Sequence, residues 1–190
     1  MWKHAPDVRA FVESAVALAR SRAGERWSAI EFGSYAMHDH DPRPIAVPNG
    51  CEVYVGVDWR PGPGVDLVSM NSEAPERLGD QRFDLALSLS ALEHDPEWRE
   101  TLAAMLAVLR PGGIAAITVP AAGWPAHEVD CAPLGGTFYE CRTVEDVLGA
   151  LSATGLVASI VRASEDPSVY GRRRTNIIVS RSSDPDGVPA

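Results

Sequence analysis

The chain of 190 residues contains one lysine, Lys3. That scarcity excludes a Walker-type phosphate loop, a Tyr-Lys dehydrogenase pair and Schiff-base chemistry from the core. Cysteine is nearly as rare. Cys51, Cys131 and Cys141 are odd in number and widely spaced, which fits neither a disulfide framework nor a paired-cysteine zinc site. They read as free thiols in a reducing cytoplasm. No apolar run approaches the roughly 20 residues that cross a bilayer, and the N-terminus lacks the charged-then-apolar pattern of a secretory signal. Positive charge is also short: 17 basic residues stand against 26 acidic ones, a formal net charge of −9. The resulting field repels phosphate backbones and anionic membrane surfaces, so the partners expected are neither nucleic acid nor membrane.

An apolar fraction of 45% is ordinary for a globular protein, and the length suits one domain with one core. We read residues 1–181 as that domain and 182–190, with two prolines and little apolar content, as a disordered tail. After Pro6-Asp7, the residues Val8, Phe11, Val12, Ala15 and Ala19 fall at helical spacing and predict a helix ending near Gly24. Ser28 to Phe32 and Val53 to Val57 predict two strands. The proline-rich stretch between them has room for one or two helical turns. Val65 to Ser69, entered through Pro61-Gly62-Pro63-Gly64, predicts a third strand and Phe83 to Leu89 a fourth, deeply buried one.

Asp95-Pro96 offers a cap and first-turn proline to a helix carrying Leu102, Met105, Leu106 and Leu109 on one face. Arg110-Pro111-Gly112-Gly113 is expected to stop it before a fifth strand at Ile114 to Val119. Pro120 to Cys141 is then a long loop, and loops of such length are usually functional. Thr143 caps a helix bearing Val144, Val147, Leu148 and Leu151 and ending at Gly155. Strands at Leu156 to Val161 and Thr175 to Ser180 close the chain, joined without a helix and therefore antiparallel. The expected fold is α/β: a doubly wound, mainly parallel seven-stranded sheet with a C-terminal antiparallel hairpin, binding its ligand beyond the carboxyl ends of the strands.

The run from Phe83-Asp84 through Leu92-Glu93-His94 to Leu109-Arg110-Pro111-Gly112-Gly113 resembles the fourth-to-fifth-strand segment of the class I, Rossmann-like S-adenosylmethionine-dependent methyltransferases, in particular the type 11-like group. Glu31-Phe32-Gly33, Val55-Gly56-Val57-Asp58 and the hairpin extend the likeness over roughly Ser28 to Ser180. It implies S-adenosylmethionine as cofactor and methyl transfer as reaction. Carried over by position, it implies that Glu31, Gly33, Ser34 and Tyr35 face the methionine portion, with the amides of Gly33 to Tyr35 placed for its carboxylate. Asp58 would accept the ribose hydroxyls and Trp59 would lie against adenine. Met70, Asn71, Ser90 and Ala91 complete the expected cofactor contacts. A strand-end cap for Asp58 and plain packing for Trp59 are the competing readings. The chain departs from the family in carrying one glycine, Gly33, where alternating glycines are usual, and Ser69-Met70-Asn71 where an acid commonly meets adenine.

Methyl transfer needs an acceptor held close and in line, and a general base only where the acceptor must lose a proton early. His94 and His127 are the candidate catalytic bases, since an unperturbed imidazole titrates near about pH 6.5. Trp124, Glu128 and Asp130 share the long loop with His127. His38-Asp39-His40-Asp41 reads as solvated turn residues, and no metal is expected. Arg172-Arg173-Arg174 reads as the exposed turn of the last hairpin, with anion binding as the other reading. The acceptor expected is the oxygen or nitrogen of a small molecule. The pocket would be open, or completed by the long loop or by the second subunit of a homodimer. A different class of function is a non-catalytic descendant of the fold serving as an interaction module.

Overall fold

The computed structural model describes residues 6–36, 42–126, 138–156, 158–168 and 171–182. Helix α1 spans Pro6–Ala23 and buries Val8, Phe11, Val12, Ala15, Val16 and Ala19, the stripe its spacing predicts. Gly24, at φ 93, ends it, and its amide donates to the Arg20 carbonyl at 2.9 Å, a left-handed cap that glycine adopts without a Cβ penalty. Strand β1 (Trp27–Phe32) follows, then the short α2 (Arg43–Ala46) and a 3-10 turn over Val47–Asn49. Next come β2 (Cys51–Asp58), β3 (Leu67–Val68), α3 (Ala74–Leu78), β4 (Phe83–Leu89) and a second 3-10 turn at Leu92–His94. The order continues with α4 (Trp98–Ala107), β5 (Leu109–Pro120), α5 (Val144–Ala153), β6 (Ala158–Pro167) and β7 (Arg173–Arg181).

The seven strands form one sheet in the order β3-β2-β1-β4-β5-β7-β6. Strands β1 to β5 pair in parallel, while β7 runs antiparallel to both β5 and β6. The strand order reverses between β1 and β4, which opens a crevice at their carboxyl ends. Side chains alternate across the sheet. Ala86, Ile117 and Val119 join Leu102, Met105, Leu106 and Val147 beneath α4 and α5. Leu85, Leu87, Ile114 and Ala116 join Val8, Phe11 and Val12 beneath α1.

Four departures from the sequence expectation each have a local reason. The third strand is only Leu67–Val68, because Val65 is still held in the preceding turn by its amide bond to Gly62 at 3.1 Å. Helix α4 starts at Trp98, not at Asp95-Pro96. Asp95 is extended, at φ −104 and ψ 106, as the residue before a proline tends to be. Its carboxylate instead accepts from the Glu97 amide at 2.8 Å and the Thr101 hydroxyl at 2.7 Å. The Arg110 to Gly113 stop lies inside β5, where the register steps from Leu109 opposite Phe83 to Ile114 opposite Leu85; those four residues form a bulge. Strand β6 runs to Pro167 because β7 pairs with it as far as Arg173.

Candidate active site

The crevice between β1 and β4 begins at Gly33. Its φ of 74 suits only glycine, and a Cβ there would lie 2.3 Å from the Ala91 Cβ. After β1 the four described amides of the loop, Gly33 to Ala36, are all tied inward. Gly33 and Ser34 both donate to the Val57 carbonyl at 2.9 Å, and Ala36 to Pro63 at 2.8 Å. Gly33 also donates to Asn71 Oδ1 at 3.2 Å, and Tyr35 to Asp58 Oδ2 at 3.2 Å. The Pro61 to Gly64 turn covers this loop so closely that a Cβ on Gly64 would stand 2.6 Å from the Ser34 carbonyl. The repeated Pro-Gly thus serves close backbone approach as well as entry into β3.

Asp58, at the end of β2, is 6% exposed, and each of its oxygens accepts one backbone amide, from Tyr35 at 3.2 Å and Arg60 at 3.0 Å. The Arg60 guanidinium sits 4.4 Å from the Tyr35 ring centre and 5.0 Å from that of Trp59. Glu31 is buried, and its Oε2 accepts the Tyr54 hydroxyl at 2.9 Å; this carboxylate faces β2 across the α1 side of the sheet.

After β3, Met70 and Asn71 are half-buried. Asn71 is a strut: its Oδ1 holds the Gly33 amide and its side chain also hydrogen-bonds Asp95. Ser72 donates to Glu97 at 2.7 Å, a second tie between this loop and the start of α4. Burial pushes the Asp95 carboxyl up, against the hydrogen bonds from Thr101, the Glu97 amide and Asn71.

At the end of β4, Ser90 is the one non-glycine residue with positive φ among the described residues, at 52. Strained backbone of this kind persists only where the surroundings hold it. Its amide donates to Thr118 at 2.8 Å and its hydroxyl accepts from Arg174 at 2.8 Å. His94 closes the 3-10 turn, with Nδ1 3.3 Å from the Phe138 carbonyl and its ring 5.2 Å from that of Tyr139. The Glu140 amide donates to the Glu93 carbonyl at 2.9 Å, so residues 138–142 return across the mouth of β4. Burial pushes the Tyr139 phenol up, reinforced by Cys141 and Glu93 and opposed by Arg174.

Gly33, Ser34, Tyr35, Asp58, Trp59, Asn71, Ser90 and Ala91 therefore meet at one end of the sheet, with His94 beside them and Glu31 one layer below. His127, Glu128, Asp130 and the His38 to Asp41 run lie outside the described residues. Among the described residues no group of three or more His, Cys, Asp or Glu side chains is arranged to hold a metal ion.

Sequence reasoning missed Arg174, read as part of an exposed turn. It is 1% exposed, with Nε 3.1 Å from Asp7 and its guanidinium 4.8 Å from the Trp124 ring centre. The available signal was its place three residues before the apolar run Ile177-Ile178-Val179 of β7; the two arginines preceding it concealed that.

A profile of the family described as "Methyltransferase domain" matches residues 11–117, more than half of the chain. The chain belongs to this family. Among solved structures, it is similar to a Burkholderia thailandensis 1,6-didemethyltoxoflavin-N1-methyltransferase holding 1,6-didemethyltoxoflavin and S-adenosylhomocysteine. That likeness has 20% identity, 92% coverage of this chain and 79% of the other, and a TM-score of 0.67. It is also similar to the N-methyltransferase NodS of Bradyrhizobium japonicum in complex with S-adenosylhomocysteine, at 16% identity, 94% and 89% coverage and a TM-score of 0.59. The [4+2]-cyclase SpnF aligns at 12% identity, 90% and 82% coverage and a TM-score of 0.59. At these identities the structures show the fold alone. No curated protein matches the chain.

The family's cofactor is S-adenosylmethionine, and the residues at the end of β2 suit its adenosine half. A carboxylate has about four lone-pair directions; Asp58 uses one on each oxygen for backbone amides, which leaves acceptors for a ribose diol. The start of the β1 loop is different in kind, since the amides of Gly33 to Ala36 are already donated within the protein.

Proposed function

We propose that the protein is an S-adenosylmethionine-dependent methyltransferase acting on an oxygen or nitrogen of a small-molecule acceptor. One observation carries this reading: in a chain of the methyltransferase family, Gly33, Asp58 and the Ser90 to His94 turn converge where the strand order reverses. When bound, the cofactor supplies a methyl group on a sulfonium sulfur, open to in-line displacement. Asp58 would hold the ribose and Trp59 would flank the base. The turn after β4 and the return segment at residues 138–142 would face the acceptor.

His94 is the base in this proposal. A carbonyl oxygen can only accept, so the contact between Nδ1 and Phe138 calls for the proton on Nδ1, the tautomer in which Nε2 is the basic nitrogen. A small nitrogen-bearing acceptor is in keeping with the two N-methyltransferases of the same fold. The net charge of −9 disfavours nucleic acid. Among the described residues no helix is long and apolar enough to cross a membrane. The free thiols of Cys51 and Cys141 support a reducing, cytoplasmic setting.

Isothermal titration with S-adenosylmethionine and S-adenosylhomocysteine tests the reading. Micromolar binding of both is expected; absence of binding of either at high micromolar concentration would overturn it. The committed amides of the β1 loop favour a second reading, a non-catalytic descendant of the fold. Turnover on any acceptor would remove that alternative.

A further inference from the structure

A groove of about 490 Å³ opens at the other end of the sheet from the crevice. The last turns of α1 give it Ala19, Arg22 and Ala23, strands β6 and β7 give it Ser159 and Ser180, and the β5 bulge gives it Pro111. It also reaches Asp84 at the start of β4, and β4 carries the chain from there to Ser90, roughly 20 Å away at about 3.3 Å per residue. The groove is therefore separate from the site of the proposed methyl transfer. Its volume is that of a small-molecule site. A Cβ on Gly112, which also lines it, would meet nothing within 4 Å, so there is room above the bulge.

Arg22 is fixed at this groove with donors to spare. Its Nη1 donates to the Gly112 carbonyl at 3.2 Å and to the Ser180 hydroxyl at 2.5 Å, which uses both protons of that nitrogen. Its Nε and Nη2 have no partner among the described residues. Those two nitrogens form the edge of a guanidinium that holds a carboxylate or phosphate through two parallel hydrogen bonds. The two internal bonds have already ordered the side chain, which lowers the entropy cost of binding. Ser159 stands opposite Ser180 in the pairing of β6 with β7, so both hydroxyls lie on one face of the sheet. The neighbouring carboxylate is occupied: Asp84 Oδ2 accepts from the Ser28 amide and hydroxyl and from Arg110. We propose that this groove binds a small molecule with a compact anionic head, carboxylate or phosphate, held by the free edge of Arg22, and an apolar body against Ala19, Ala23 and Pro111. The site stands whether or not the methyltransferase reading does.

Benzoate and phenyl phosphate carry the two heads on a common apolar ring, and benzyl alcohol is the neutral control. Titration calorimetry of the full chain should show at least one anion binding with a Kd of about 1 mM or tighter, and the alcohol roughly tenfold or more weakly. The tighter anion identifies the head. Arg22→Gln should weaken that anion by about tenfold or more. Ala23→Trp fills the groove while keeping the charge, and should weaken it by a similar factor. Arg9→Gln removes an equal charge from the exposed face of α1, where Arg9 pairs with Glu13, and should leave affinity within about twofold. Absence of binding by both anions overturns the proposal, as does equal binding of the alcohol. Affinity unchanged in Arg22→Gln or in Ala23→Trp, or an equal loss in Arg9→Gln, overturns it as well.

Discussion

The Ala91 Cβ stands 2.3 Å from where a Cβ on Gly33 would be, so the β1 glycine makes room for the β4 loop before it makes room for any ligand. Gly33→Ala therefore meets two penalties, a left-handed φ of 74 and a steric clash. We expect a loss of about 2–4 kcal/mol in urea unfolding. Adding Ala91→Gly should recover the steric part and leave about 1–2 kcal/mol from the backbone. A Gly33→Ala protein of unchanged stability with weakened S-adenosylhomocysteine binding would show that the space belongs to the cofactor.

Asp58 carries both a structural and a ligand role in this scheme. Asp58→Ala releases the Tyr35 and Arg60 amides and removes the acceptors proposed for the ribose. The expected cost to S-adenosylhomocysteine affinity is about 1–3 kcal/mol by calorimetry. Affinity equal to wild type would place the adenosine half elsewhere.

His94→Gln tests the proposed base separately from cofactor binding. On an acceptor that must lose a proton early, turnover should fall by roughly 10²- to 10⁴-fold, while S-adenosylhomocysteine binding stays within about twofold, since the proposal sets this residue against the acceptor and not the cofactor. Turnover within about threefold of wild type would reduce His94 to a prop for the Phe138 carbonyl.

The parts of the fold that could be read from the sequence are those where several local signals agree. Strand β4 is buried along nearly its whole length and begins at Phe83 as expected. Helix α1 and the Thr143-capped α5 carry stripe, cap and stop together. The misread parts depend on distant partners. Leu67–Val68 is a strand only because Val57 and Asp58 lie alongside. The glycines of Pro61 to Gly64 are needed because the β1 loop lies beneath them. Arg174 is buried only because α1 brings Asp7, and the loop after β5 brings Trp124, over the start of β7. The site shows the same division: Asp58 follows from its place at a strand end, whereas the internal donation of the loop amides requires knowledge of the acceptors.

Helix α5 anchors the return segment, and its cap makes that anchorage dependent on pH. Thr143 and Asp146 form a reciprocal capping box: the Asp146 amide donates to the Thr143 hydroxyl at 3.1 Å, and the Asp146 carboxylate accepts from the Thr143 amide at 2.8 Å. Hydrogen bonds from the Thr143 amide and then its hydroxyl hold the Asp146 carboxyl below the usual carboxylate range. The folded state thus binds this proton less readily than the unfolded state, so the contribution is complete above the ordinary value of about 3.9 and is lost as pH falls through the depressed folded value. Thr143→Ala should cost about 1 kcal/mol near neutral pH. The difference between variant and wild type should shrink as pH drops below about 4. Urea midpoints measured from pH 7 to pH 3 would check this, and a difference that stays constant across that range would rule out a contribution from the hydroxyl-to-carboxylate bond, the Thr143 amide bond to Asp146 being common to both proteins.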